Sequence, residues 1–111
     1  MNFAQRAARN EEIFRGVNER IAEGAEKYGT TARHPFHCEC GQGMCFGTID
    51  MAPDEYEQIV AERYRFVVIP GHEHPQIERV VDRRGAFVVV EKVGEAREQI
   101  DRDHPQQRHS T

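Results

Sequence analysis

The spacing of hydrophobic positions divides the chain into a helical first quarter and a centre with strand-like runs. The first 28 residues contain no proline and are rich in alanine, glutamate, arginine and glutamine. We therefore predict one helix over residues 3–28 that ends at Gly29. Its apolar positions recur at helical spacing and are Phe3, Ala7, Phe14, Val17 and Ile21.

The apolar stripe of this helix has two interpretations. Asn10 fills the gap between Ala7 and Phe14, which gives a 3-4 repeat with one polar seam position. A lone asparagine in such a seam can set the register of a coiled coil. The stripe packs either on the chain's own domain or on a partner, including a second copy of the chain, and the sequence leaves both open.

The centre of the chain predicts a short helix and a small sheet. Pro53 followed by two acids starts a helix that runs to about Glu62. The continuous apolar run in residues 65–70 is typical of a central strand. Residues 77–82 and 86–93 form a predicted hairpin, because Gly85 supplies the turn.

These elements predict an α+β fold. It consists of a long N-terminal helix, a zinc-binding loop, a short helix and an antiparallel sheet of about three strands. We divide the chain into an N-terminal helix (1–29), a zinc-stabilised core (30–94) and a polar C-terminal tail (95–111), in which residues 95–103 have the pattern of a short helix.

The net charge and the lack of a visible targeting or membrane-spanning segment restrict the functions that we expect for this protein. The formal net charge is −4, from 15 basic and 19 acidic residues, which disfavours a nucleic-acid binder held mainly by phosphate contacts. No secretory signal or membrane-spanning stretch is visible. We expect a cytoplasmic protein.

All three cysteines lie within eight residues, with C-x-C-x4-C spacing at Cys38, Cys40 and Cys45. An odd number of clustered cysteines fits metal ligation better than disulfide pairing, and Cys38 and Cys40 would form only a strained bridge. Two glycines between the second and third cysteines let the sulfurs converge. Zinc is the metal that such a set favours.

A fourth ligand has to come from outside the cysteine stretch. His72 is the preferred residue, because it follows a strand on a Pro-Gly turn that can direct its ring toward the cysteines. His74 and then His37 are the alternatives. Glu73 or Glu39 would orient a ligand ring.

No catalytic motif is complete. A zinc deaminase pairs an H-x-E segment with a P-C-x-x-C segment, but His72-Glu73-His74 lacks the residue between His and Glu, and Cys38-Glu39-Cys40 has the wrong cysteine spacing. A nucleophilic pair of Cys45 and His72 is conceivable, but the core is small for a substrate cleft. We expect no enzymatic activity.

Several short segments occur in a fixed order along the chain. They are Asn18-Glu19-Arg20-Ile21, Phe36-His37-Cys38-Glu39-Cys40, Cys45, Glu55-Tyr56-Glu57, Arg65-Phe66-Val67-Val68, Pro70-Gly71-His72-Glu73 and Val89-Val90-Glu91-Lys92. This ordered set resembles a family of small bacterial proteins of actinobacterial type, over roughly residues 12–94. The resemblance implies that Cys38, Cys40, Cys45 and His72 are the metal ligands, and it implies no activity. The glycine-rich residues 41–44 depart from the acidic loop of the similar proteins.

The sequence thus predicts a protein with a structural Cys3His zinc site that acts through protein contacts. The partner is an unknown protein, or a second copy bound through the N-terminal helix. One alternative is a redox sensor in which Cys38 or Cys40 oxidises and zinc leaves. Another is a small nucleic-acid-associated regulator that uses the arginines of the hairpin turn.

Overall fold

The computed structural model describes residues 3–29 and 31–103 and has the predicted α+β fold. Two antiparallel sheets, one of two strands and one of three, pack with three helices. The predicted tail lies outside the described residues from position 104 onward. The elements in chain order are α1 (Phe3–Lys27), β1 (His34–His37), β2 (Thr48–Met51), α2 (Pro53–Val60), β3 (Arg65–Val68), β4 (Glu78–Arg83), β5 (Val88–Lys92) and α3 (Gly94–Asp103).

Helix α1 packs one face against the rest of the domain. Ala7, Ala22 and Ala25 are buried on that face, and Ile21 packs against the central core. Phe14 stacks on the His37 ring, with 4.1 Å between ring centroids. Much of the apolar stripe therefore contacts the chain's own domain.

Strands β1 and β2 pair as an antiparallel ribbon on either side of the cysteines. No sequence pattern indicated β1, whose four residues are Pro35 and three aromatic or imidazole side chains. Phe36 pairs with Ile49, is fully buried and stacks on Tyr56 with 4.8 Å between centroids. The packing of Phe36 stabilises a strand that is too short to show the alternating hydrophobic pattern of a β-strand.

The three-stranded sheet has the order β3-β5-β4. Its β4–β5 pair is the predicted hairpin, with a register shift between Val80 and Asp82. Strand β5 lies in the centre, and its Val90 is fully buried.

The prediction that residues 65–70 form a central strand is wrong, because β3 lies at the edge of its sheet. The cysteine segment covers that edge. The Glu39 N–H donates to the Val67 carbonyl at 2.8 Å, and the Val67 N–H donates to the Glu39 carboxylate at 3.1 Å. Coverage by non-strand residues explains why an edge strand is as apolar as a central one.

The two short helices close the remaining sides of the core. Helix α2 begins at Pro53 with acids in its first turn, as predicted, and buries Tyr56 and Ile59. Helix α3 buries Ala96 and is tied to the turn before β3 by the Tyr64 hydroxyl, which donates to Asp101 at 2.6 Å. Among the described residues, no helix has the length and apolar character needed to cross a membrane.

Candidate metal centre

The four predicted ligands come together in the fold. One ligand atom each from Cys38, Cys40, Cys45 and His72 lies within 4.8 Å of all the others, which is close enough to hold a metal ion. The Nδ1 atom of His72 lies 3.6 Å from the sulfur of Cys38 and 3.6 Å from that of Cys45.

These separations match a tetrahedral centre. Sulfur at about 2.3 Å and imidazole nitrogen at about 2.05 Å from one zinc ion would be separated by about 3.6 Å. The spacing and the donor types therefore fit a zinc ion bound by Cys3His.

The cysteine loop, residues 38–45, turns where its glycines allow it. Gly41 has φ +78°, and a Cβ there would lie 3.0 Å from the Ala7 carbonyl oxygen. The Asn10 side chain donates to the Gly41 carbonyl at 2.8 Å. Close approach to α1 and the left-handed backbone both require glycine at this position.

A second turn presents His72. Gly71 has φ +93°, and its N–H donates to the Glu73 carboxylate at 2.8 Å. The His72 N–H donates to the Ile69 carbonyl at 2.9 Å, which closes the turn directly after β3. The Ile69 N–H in turn donates to the Cys38 sulfur at 3.2 Å, so the end of β3 supports two of the four ligands.

The three thiols interact strongly in the absence of metal. The hydrogen bond with Cys38 lowers the pKa of Cys40 to about 4, whereas the same contact, followed by burial, raises the pKa of Cys38. Burial raises the pKa of Cys45. One thiolate is thus stabilised by neighbouring thiols, and a bound dication would favour the thiolate form of all three.

The alternative histidine ligands contact the backbone of the loop instead. His74 donates from Nε2 to the Cys40 carbonyl at 2.8 Å. His37 donates from Nδ1 to the Cys38 carbonyl at 2.6 Å. Both rings hold the main chain of ligand residues, and neither belongs to the four-atom cluster.

Glu39 does not orient a ligand ring. Its carboxylate is fully buried and accepts hydrogen bonds from Tyr56 at 2.6 Å, Asn18 at 3.0 Å and the Val67 N–H at 3.1 Å. Burial raises its pKa, while the Arg15 charge and these hydrogen bonds oppose the shift. Glu39 therefore positions the backbone between two cysteines.

Sequence reasoning missed Asn18, which joins α1 to the cysteine loop. Its side chain donates to the His37 carbonyl at 2.8 Å and accepts from the His37 N–H at 2.7 Å. Its spacing in the sequence could have indicated this role, because Asn18 lies four positions after Phe14 and three before Ile21, on the buried face of the helix.

A buried ion triad was also missed. Lys92 is fully buried and its ammonium contacts the carboxylates of Glu11 and Glu78, both of which are buried as well. Burial raises the pKa of Glu11 to about 7, against the opposing effect of Lys92. The available signal was a lysine at the end of an apolar strand.

Two of the hairpin arginines proposed for nucleic-acid contact, Arg84 and Arg79, are in ion pairs. Arg84 contacts Asp82 at 2.8 Å and Glu55 at 2.9 Å. Arg79 contacts Glu91 at 3.6 Å. These pairs reduce the positive potential that a phosphate backbone would meet.

Comparison with protein-family models, curated proteins and solved structures found no match to this chain. The resemblance to small bacterial proteins therefore stays a prediction.

Proposed function

We propose that the protein binds one structural zinc ion through Cys38, Cys40, Cys45 and His72. The observation that carries the proposal is the convergence of three sulfurs and one imidazole nitrogen, within 4.8 Å of one another, from two separate turns. Thiolate-rich sets with one imidazole favour zinc over hard cations.

A structural role fits the number of ligands. Four protein ligands fill a tetrahedron, whereas catalytic zinc keeps one position for water or substrate. The site joins the cysteine loop to the end of β3, two segments that are far apart in the sequence. Because such a cluster is not preformed in an unfolded chain, metal-binding free energy stabilises the fold.

The test of this role is unfolding in the absence and presence of metal. Protein stripped of metal under reducing conditions should gain thermal stability on addition of equimolar Zn²⁺ and none on addition of Mg²⁺. Cys40→Ser should remove most of the gain. Equal melting temperatures with and without Zn²⁺ would refute a structural zinc.

The surface next to the metal site supports a function in binding another protein. Met44 and Phe46 flank Cys45 with 83% and 79% of their surface exposed. Large exposed apolar side chains grouped on one stretch of surface are typical of protein-interaction sites. A Met44→Ser, Phe46→Ser double variant should keep its zinc and lose an association measured by sedimentation velocity or by binding to a candidate partner; unchanged association would exclude this surface.

A redox response is the second candidate, because the sulfurs differ in access. Cys45 is 8% exposed, whereas Cys38 and Cys40 are fully buried. Hydrogen peroxide would therefore reach Cys45 first, and not Cys38 or Cys40 as the sequence suggested, and would form a sulfenic acid, which a neighbouring thiolate converts to a disulfide. Two thiolates and one peroxide give one disulfide and two hydroxide ions, and the zinc ion leaves.

Mass spectrometry of partly oxidised, zinc-loaded protein tests the sensor. The disulfide should include Cys45, and zinc release should follow its formation and reverse with reductant. Oxidation beginning at Cys38 or Cys40, or zinc retained after disulfide formation, would contradict this order of events.

A further inference from the structure

A cavity of about 370 Å³ lies between α1 and α3, away from the cysteines. Its apolar walls come mainly from β3, the residue before β4 and the two short helices. This volume is within the range of small-molecule sites. The apolar lining is made by Val60, Phe66, Ile77, Ala96 and Ile100.

The polar lining is mainly acidic. Four carboxylates and two guanidinium groups line the cavity. The cation of Arg63 is paired with Asp101 at 3.3 Å and the carboxylate of Glu11 is paired with Lys92, and both of these partners lie outside the lining. The carboxylates belong to Glu11, Glu12, Glu19 and Asp103.

Arg15 forms part of the wall. Its guanidinium lies 4.0 Å from the Phe66 ring centroid and donates to the carbonyls of Arg63, at 3.1 Å, and Arg65. Its Nε atom is buried and has no hydrogen-bond acceptor within residues 3–29 and 31–103. An oxygen atom on a ligand would supply that acceptor.

We propose that this cavity binds a small organic cation with an apolar body and an acceptor oxygen. The apolar walls take the body, the carboxylates of Glu19 and Asp103 attract the ammonium group, and Arg15 donates to the oxygen. Carboxylate excess at the walls disfavours an anion of the same shape. The site is separate from the metal centre, because none of its lining residues is a proposed zinc ligand.

Phenylalaninol is a suitable probe, with 3-phenyllactate as its counterpart of opposite charge. Both carry one phenyl ring and one hydroxyl group. Titration of the zinc-saturated full chain, followed by NMR, should show saturable shifts in α1, β3 and α3 with phenylalaninol. At least tenfold weaker binding is expected for 3-phenyllactate. Equal binding of the two, or no binding of phenylalaninol, would overturn the proposal.

The two glycines within α1 provide a matched pair of variants. Gly16 lines the cavity and Gly24 does not, and a Cβ at either position meets nothing within 4 Å. Both leucine substitutions raise helix propensity, so both variants should fold. Gly16→Leu should weaken phenylalaninol binding at least tenfold, and Gly24→Leu should leave it unchanged. Unchanged binding by Gly16→Leu, or an equal loss in both, would place the ligand elsewhere.

Discussion

Asn18 and Glu39 show how single polar residues organise this domain. Asn18 takes the place of a neighbouring strand for His37, since it both donates to and accepts from the same backbone unit. Glu39 does the same for Val67 with one backbone and one side-chain group. Both are fully buried, so every lost partner leaves a desolvated polar group.

Asn18→Ala is therefore expected to destabilise the protein strongly. The substitution removes three hydrogen bonds and takes a hydrogen-bond partner away from buried polar groups of His37 and Glu39. We predict a loss of about 3 kcal/mol in the free energy of unfolding, measured with urea. Asn10→Ala, which removes the bond to the Gly41 carbonyl, is the control and should cost about 1 kcal/mol. Equal losses in the two variants would contradict this role of Asn18.

The two glycines of the cysteine loop should respond differently to alanine. Gly41→Ala forces φ +78° on an L-residue and brings its Cβ to 3.0 Å from a backbone oxygen, so we expect a loss of about 2 kcal/mol. Gly43→Ala makes only an ordinary contact, at 3.7 Å from Asn10. Urea unfolding of both zinc-loaded variants checks this difference, and a stable Gly41→Ala protein would mean that the loop has another conformation.

At the level of elements, the buried triad joins α1 to the sheet. Glu11 comes from α1, Glu78 from β4 and Lys92 from β5. Lys92 also lies 5.0 Å from the Phe66 ring centroid. A buried pair of this kind contributes little net stability when complete but is costly to break.

The triad gives the protein a specific pH dependence. The pKa of Glu11 is about 7 in the folded chain and 4.5 without burial, so the folded state binds more protons between these values. Its contribution to stability is present at low pH and is lost as the pH rises through about 7. From pH 6 to pH 8 this loss is on the order of 1 kcal/mol.

Glu11→Gln removes this titration. Urea unfolding at pH 6 and pH 8 should show that the wild type loses stability relative to the variant over this interval, by an amount on the order of 1 kcal/mol. Comparing the two proteins cancels the common pH dependence of the metal site. Identical slopes would show that Glu11 does not titrate in this range.

Local patterns predicted the elements that have a clear period or start signal. Helix α1, the Pro53 start of α2 and the β4–β5 hairpin all follow from their own residues. Strand β1 and the edge position of β3 depend on contacts from distant segments, through Phe36 and Glu39 respectively, and no local pattern encodes such contacts.

The candidate site was predicted more fully than its surroundings. Cysteine spacing and the Pro-Gly turn indicated all four residues that the fold brings together. Asn18 and Lys92 were missed because a buried polar residue on a helix or strand looks like a surface residue until its partners are known.

In the whole molecule, the candidate metal centre links the β1–β2 ribbon to the three-stranded sheet. Cys38 and Cys45 lie beside β1 and β2, and His72 follows β3. Loss of the metal should therefore loosen the cysteine loop and uncover the edge of β3, while the β4–β5 hairpin remains protected. Amide hydrogen exchange of the zinc-loaded and stripped proteins measures this directly; uniform protection in both would contradict it.

Metal content with stoichiometry, by native mass spectrometry, tests the central claim most directly. We predict one zinc ion per chain in the wild-type protein and at least tenfold weaker zinc binding in His72→Ala. His74→Ala should retain its zinc, because the His74 ring contacts the Cys40 carbonyl and is not a proposed ligand. No metal in wild-type protein purified without chelator or oxidant, or equal loss in both histidine variants, would contradict the Cys3His site.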